Sequence, residues 1–110
     1  MSIAYHDPSD LARLKDMSAA APAEFNAWLA LDQIVAREDG AIPRKYRELI
    51  ALAVAHTTQC VYCMDVHVAA AKRTGASRAE VAEAIFIAAA IRAGGAAAHG
   101  GLAMKLYDRD

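Results

Sequence analysis

Apolar side chains recur along this chain at spacings of three and four residues, and no stretch shows the alternation of a strand, so every segment reads as helix. A short first helix is predicted over residues 8–17, capped by Ser9 or Asp7, with Leu11 and Leu14 on one face. Pro22 suits the first turn of a second helix reaching about residue 37, where Phe25, Trp28, Leu29, Leu31 and Val35 form a broad apolar face; Asp39 and Gly40 then stop it. Pro43 opens a third helix. Its run over residues 49–55 is apolar on all sides, which marks the central helix of the core. A buried strand competes for those seven residues, and the helix formers on both flanks and the alanines within decide for helix. After a break near residues 57–59, a fourth helix covers residues 60–74 and closes at Gly75. Ser77, followed three residues later by Glu80, makes a capping box for a fifth helix carrying Val81, Ala84, Ile85, Ala88 and Ile91. Gly94 and Gly95 are expected to interrupt it, leaving a last helix over residues 96–107 with Leu102 and Leu106. The expected fold class is all-α: a single compact helical domain of about six helices, with residues 1–20 as a peripheral N-terminal segment and residues 21–110 as the domain proper.

Composition adds an expectation about assembly. The 110 residues are 56% hydrophobic, alanine alone making up about a quarter, which is more apolar surface than a monomer of this length readily hides. A homo-oligomer is therefore expected. Twelve basic and thirteen acidic residues are spread along the chain, which offers no phosphate-tracking surface and speaks against a nucleic-acid partner. Residues 1–10 hold His6, Asp7 and Asp10 without an apolar run, so no signal peptide is recognisable there. The wholly apolar stretches 49–55 and 84–91 fall far short of the roughly 20 residues that span a bilayer. The expectation is a cytoplasmic chain without a membrane partner.

The candidate chemistry lies in the fourth helix. Cys60, Cys63 and His67 fall three and four residues apart, so they share one helical stripe, and the two thiols are the only ones in the chain. A bridge across a three-residue step constrains little unfolded-chain entropy, so its value is chemical. Cys60 stands at the helix start, where free N–H groups and the positive dipole end favour a thiolate. His67 is one turn beyond Cys63 and placed to take its proton. Dithiol–disulfide exchange is the first mechanism this permits. Glu48, at the threshold of the apolar run, is expected to be partly buried and to orient His67 if the third and fourth helices pack antiparallel; an exposed pair with Arg44 four residues earlier is the plainer alternative. His56 faces either the same pocket or only the end of its own helix, and Tyr62 either donates a hydrogen bond into the site or simply packs. Asp65 reads as solvated, His99 as a packing or interface residue, and Trp28 with Phe25 as core or pocket lining. A zinc site built from both cysteines, His67 and Glu48 competes, but three ligands within two turns of one helix converge poorly on a tetrahedron. No metal is expected, and a purely structural role for the cysteines leaves the aligned His67 unexplained.

The combined pattern, Glu48, eleven residues, Cys60, two residues, Cys63, three residues, His67, resembles the AhpD-like alkylhydroperoxidase family within the carboxymuconolactone decarboxylase superfamily. Arg47 and Glu48 ahead of the apolar run, and Gly94 and Gly95 ahead of His99, are similar to it too, and the likeness extends over about residues 25–106. The resemblance implies an all-helical fold assembled as trimers, or as hexamers built from dimers. It implies a thiol-dependent peroxidase or disulfide reductase that reduces small hydroperoxides, or a peroxiredoxin partner, through the cysteine pair. No tightly bound cofactor is implied; a dithiol such as a lipoyl group, carried on a lipoyl-domain partner, serves as co-substrate. Carried onto this chain, the catalytic residues are Cys63 as the inner thiol activated by His67, Cys60 as its more exposed partner, and Glu48 as the relay member attached to His67. The family relay often has a histidine immediately before the second cysteine, where this chain has Tyr62. The decarboxylases that name the superfamily are the alternative. They generally lack the cysteine pair and call for basic pocket groups, of which the sequence shows no obvious buried cluster. A redox-sensing module without turnover is the non-enzymatic alternative.

Overall fold

Local side-chain chemistry sets where each helix begins and ends. In the computed structural model, which describes residues 2–110, the Asp7 carboxylate accepts the Ser9 amide at 2.9 Å and Asp10 reaches back to the Asp7 amide at 3.2 Å. This reciprocal cap opens a 3-10 segment over Pro8–Arg13, which runs directly into helix α1 (Leu14–Ala20). The single α-helix expected over residues 8–17 is thus divided into a 3-10 segment and a short α-helix. Helix α2 (Pro22–Val35) begins on its proline, as the sequence indicates. Helix α3 (Arg44–Thr58) ends at Gln59, which adopts the left-handed conformation at φ 57°. The chain then turns within two residues into α4 (Val61–Arg73).

Helix α5 begins with the expected capping box, Glu80 N–H to Ser77 Oγ at 3.0 Å and Ser77 N–H to Glu80 Oε1 at 2.8 Å. It then runs from Arg78 to Tyr107 without a break. The interruption expected at Gly94 and Gly95 does not occur. Each glycine costs a helix interior about 1 kcal/mol against alanine, and the pair sits between alanines that favour continuation. The chain therefore has five α-helices and a 3-10 segment rather than six helices, and no strand among the described residues.

Helix α3 is central and packs against both α4 and α5. Leu52 is wholly buried, and the other buried apolar positions are Ala55, Ala70, Ala71 and Ala88. Small side chains at these contacts let the helix axes approach closely. Polar links hold the ends of the packing. Lys45 Nζ lies 3.0 Å from Glu80 Oε2, tying the start of α3 to the start of α5. Arg92 donates to the Thr57 carbonyl oxygen at 2.7 Å, satisfying one of the free acceptors at the C-terminal end of α3.

The rest of the chain stands off this three-helix unit. The radius of gyration is 18.2 Å, against about 13 Å for a closed domain of this length. Trp28, Leu31, Ile34 and Val35 of α2 are exposed, as are Phe86, Ile87, Ile91, Leu102 and Met104 of α5. Trp28, expected in the core or pocket, is 49% exposed and meets only Phe25 as an aromatic neighbour, at 5.6 Å between ring centres. Because α5 passes through its glycines, it is long and apolar enough by length and composition to cross a membrane. The separate apolar stretches of the sequence did not reveal that length. Arg92 nevertheless anchors its middle to α3.

The connection between α2 and α3 is held by Arg47, which donates to the carbonyl oxygens of Ile42 at 2.7 Å and Val35 at 2.9 Å. A Cβ on Gly40 would collide with that guanidinium. Gly40→Ala is therefore expected to displace Arg47 and destabilise the chain by about 1–2 kcal/mol, read as a lower midpoint in urea unfolding with an unchanged slope.

Candidate redox site

The two-residue turn between α3 and α4 makes Cys60 the N-cap of α4. Its sulfur accepts the Cys63 amide at 3.2 Å, and the two cysteines are joined as a disulfide. When the bridge is reduced, the same amide is placed to hold a thiolate on Cys60. Three-and-four spacing then puts Cys63, Val66, His67, Ala70 and Arg73 on one face of α4, and all five line a cavity of about 550 Å³. Across from it α3 contributes Arg44, Glu48, Ile50, Ala51 and Val54, and Asp32, Val35 and Ile42 complete the lining. Ile50 and Val54 are exposed rather than packed, because this side of the all-apolar α3 faces the cavity.

Glu48 is the one buried charged residue among the described residues, 2% exposed. Both of its carboxylate oxygens are engaged. Oε1 accepts from Arg44 Nε at 2.7 Å, and Oε2 lies 2.6 Å from His67 Nδ1. Burial is the largest single influence on this carboxyl and pushes its pKa up. The hydrogen bonds from His67 and Arg44, with the attraction of their charges, together outweigh it and hold the pKa below the ordinary value of 4.5. An ionised carboxylate can only accept, so Nδ1 of His67 carries the proton and Nε2 is left as the basic nitrogen. The two sequence alternatives for Glu48 thus coexist: it pairs with Arg44 and it holds His67, from a buried position.

Two residues weighed for supporting roles lie elsewhere. Tyr62 turns away from the cavity and donates to Asp10 Oδ2 at 2.6 Å and the Tyr5 carbonyl oxygen at 3.0 Å. It binds the N-terminal segment to α4. That hydrogen bond to Asp10, then partial burial, raises its phenol pKa. His56 bonds through Nδ1 to the Leu52 carbonyl oxygen, 2.8 Å away and one turn back in its own helix, and does not line the cavity. His99 makes the same kind of contact with Gly95, at 2.8 Å. Asp65 is exposed and borders a second, smaller cavity with Tyr62 and His6. No group of three or more His, Cys, Asp or Glu side chains among the described residues is gathered so as to hold a metal ion.

The structure also adds residues that the sequence did not single out. Arg44 and Arg47, both half-buried, and Arg73, which is exposed, line the cavity, so its wall carries basic groups although no buried basic cluster forms. Arg44 is committed to Glu48 and, at 3.5 Å, to Glu38. Arg47 bonds only to neutral carbonyl oxygens, and Arg73 has no ion-pair partner among the described residues. The signal for Arg73 was the cysteine stripe continued by two further turns.

The chain is 43% identical over 101 residues to a Paracoccus denitrificans protein known as "Uncharacterized protein 4 in cox locus", covering 92% of this chain and 90% of that one. It is 30% identical over 92 residues to an uncharacterised protein of Cupriavidus necator, covering 84% and 80% respectively. Residues 22–105 match the carboxymuconolactone decarboxylase family model. That match takes in most of the chain, which therefore belongs to the carboxymuconolactone decarboxylase family.

Proposed function

We propose that the chain is a thiol peroxidase of the AhpD-like type, which reduces organic hydroperoxides through Cys63 and Cys60 and is itself reduced by an external dithiol. The observation that carries this reading is the 2.6 Å contact between Glu48 and His67 in the cavity that Cys63 also lines. His67 Nε2 takes the Cys63 proton, and the thiolate attacks the terminal peroxide oxygen. The O–O bond breaks as the S–O bond forms, the alkoxide leaves as alcohol with the proton from His67, and Cys63 becomes a sulfenic acid. Cys60, its thiolate held by the Cys63 amide, attacks the Cys63 sulfur. The disulfide forms as the S–O bond breaks, and hydroxide leaves as water with the proton that Cys60 released on ionising. A dithiol such as a dihydrolipoyl group then attacks Cys60, returns both cysteines to thiols and is oxidised to its own disulfide. Tyr62 stays outside this relay, so His67 is its only imidazole.

Mass spectrometry of the two single serine variants after one equivalent of hydroperoxide tests the order of attack. A sulfenic acid is expected on Cys63 in Cys60→Ser; one found on Cys60 in Cys63→Ser and not on Cys63 would reverse the assignment.

A second reading gains support from the cavity arginines. A lyase acting on a carboxylactone needs cations for its carboxylates, and Arg73 and Arg47 stand in the cavity without a carboxylate partner. That reading leaves the cysteine pair idle, and release of carbon dioxide from a carboxylactone by Cys63→Ser would establish it.

The open apolar faces of α2 and α5 support self-association, in line with a homo-oligomer, a trimer or a hexamer. Light scattering is expected to give a multiple of the 11.7 kDa chain mass; a monomer at micromolar concentration would contradict it. A cytoplasmic location and a lipoyl-domain or peroxiredoxin partner belong to the same proposal.

A further inference from the structure

The cavity is built for more than a peroxide group. Cys63 and Arg73 mark the two ends of the stripe on α4, with Val66, His67 and Ala70 between them. Across the cavity stand Ile50 and Val54, so the space between the two ends has apolar walls. The charges at the far end are unequal. Arg44 is neutralised by Glu48 and Glu38. Arg47 makes its bonds to neutral carbonyl oxygens and keeps its charge uncompensated. Arg73 is exposed and has no ion-pair partner among the described residues, and Asp32 is the one other carboxylate of the lining besides Glu48. Two cations without a carboxylate partner against Asp32 leave the lining net positive. Arg73 also complements the dipole at the C-terminal end of α4, but Lys72 supplies a cation there as well, and that role does not require Arg73 to face the cavity.

We infer that the substrate is an organic hydroperoxide that also carries a carboxylate, bound with the carboxylate at Arg73, the peroxide at Cys63 and an aliphatic chain between the apolar walls. This rests on the peroxidase reading above and narrows its substrate. The spacing sets a length. Ten residues of helix separate Cys63 from Arg73, about 15 Å along the axis at 1.5 Å per residue, and the arginine side chain leans back toward the N-terminal end. A gap of about 10 Å remains, which fits a carboxylate and a peroxide about eight carbon–carbon bonds apart. Planar guanidinium groups bind carboxylates through paired N–H donors, so the arginine gives orientation as well as attraction.

The test compares the 9-hydroperoxide of linoleic acid with its methyl ester, which keeps the chain and the peroxide but removes the charge. With dihydrolipoamide as donor, the acid is expected to show a kcat/KM about tenfold above the ester in the native protein. That ratio is expected to fall to near one in Arg73→Gln and to be kept in part in Arg73→Lys, which retains the charge without the paired donors and controls for folding. Equal values for acid and ester in the native protein, or a ratio unchanged in Arg73→Gln, would overturn the inference while leaving the peroxidase intact. Turnover of neither compound, nor of uncharged cumene hydroperoxide, would instead sink the peroxidase reading itself.

Discussion

Replacing Cys63 with serine is expected to lower hydroperoxide turnover by about a thousandfold or more, with KM for any residual reaction of little meaning. The size follows from the chemistry. A serine hydroxyl is not ionised near neutral pH by a single imidazole, and its oxygen cannot give up to the peroxide the two electrons that sulfur gives up on becoming a sulfenic acid. Cys60→Ser is expected to differ in kind. Cys63 still lines the cavity with His67 in that variant, so one equivalent of hydroperoxide is consumed rapidly and cycling then stops for want of the resolving thiol. A single turnover in Cys60→Ser and none in Cys63→Ser separates attacking from resolving sulfur. Turnover at the native rate in Cys63→Ser would remove that thiol from the mechanism.

Glu48→Gln should cost both activity and stability. The native carboxylate accepts at both oxygens, from Arg44 at 2.7 Å and His67 at 2.6 Å. Glutamine has one oxygen, so its amide group must face one of these donors. Breaking a buried pair in this way costs about 2–4 kcal/mol, nearer the lower figure to the extent that Arg44 can turn toward water. Turnover is expected to fall about a hundredfold, because Nδ1 of His67 is no longer fixed as the donor and Nε2 no longer fixed as the base. A pH series distinguishes this from a general loss of packing. Since the folded Glu48 pKa lies below 4.5, the ionised form favours the folded state. Its contribution is fully present above about pH 4.5 and is lost as pH falls through the lower folded value. The stability difference between native protein and Glu48→Gln is expected to shrink as pH falls below about 4.5. A difference that stayed flat through acid would assign Glu48 a packing role alone.

The part of the site that could be read in the sequence is the part governed by helical periodicity. Cys60, Cys63 and His67 share a stripe by spacing, and Glu48 reaches them because a two-residue turn folds α3 back along α4. Tyr62 and His56 were less legible, since each is adjacent in sequence to the chemistry and separate from it in space. Tyr62 is rotated about 100° from Cys63 on the helix and meets the N-terminal segment instead. His56 is drawn to a carbonyl oxygen one turn back. Arg73 was hidden for the opposite reason: at a helix C-terminus a basic residue looks sufficient as a dipole partner, and only the folded chain shows that it also lines the cavity, from an exposed position. Gly94 and Gly95 misled because a local cost of about 1 kcal/mol each decides a helix end only where something else stops it, and here alanine follows on both sides. The all-apolar run of α3 did identify the central helix. Leu52 and Ala55 are its buried apolar positions, while Ile50 and Val54 open to the cavity.

The most direct measurement is steady-state consumption of cumene hydroperoxide with dihydrolipoamide as the sole donor, following both reactants together in the native protein and in Cys63→Ser. Many turnovers in the native protein, with one dihydrolipoamide oxidised for each hydroperoxide reduced, and none in the variant, is the expected result. Consumption that stops after one equivalent, with the Cys60–Cys63 disulfide formed and not reduced again, would contradict it and leave a redox sensor in place of an enzyme.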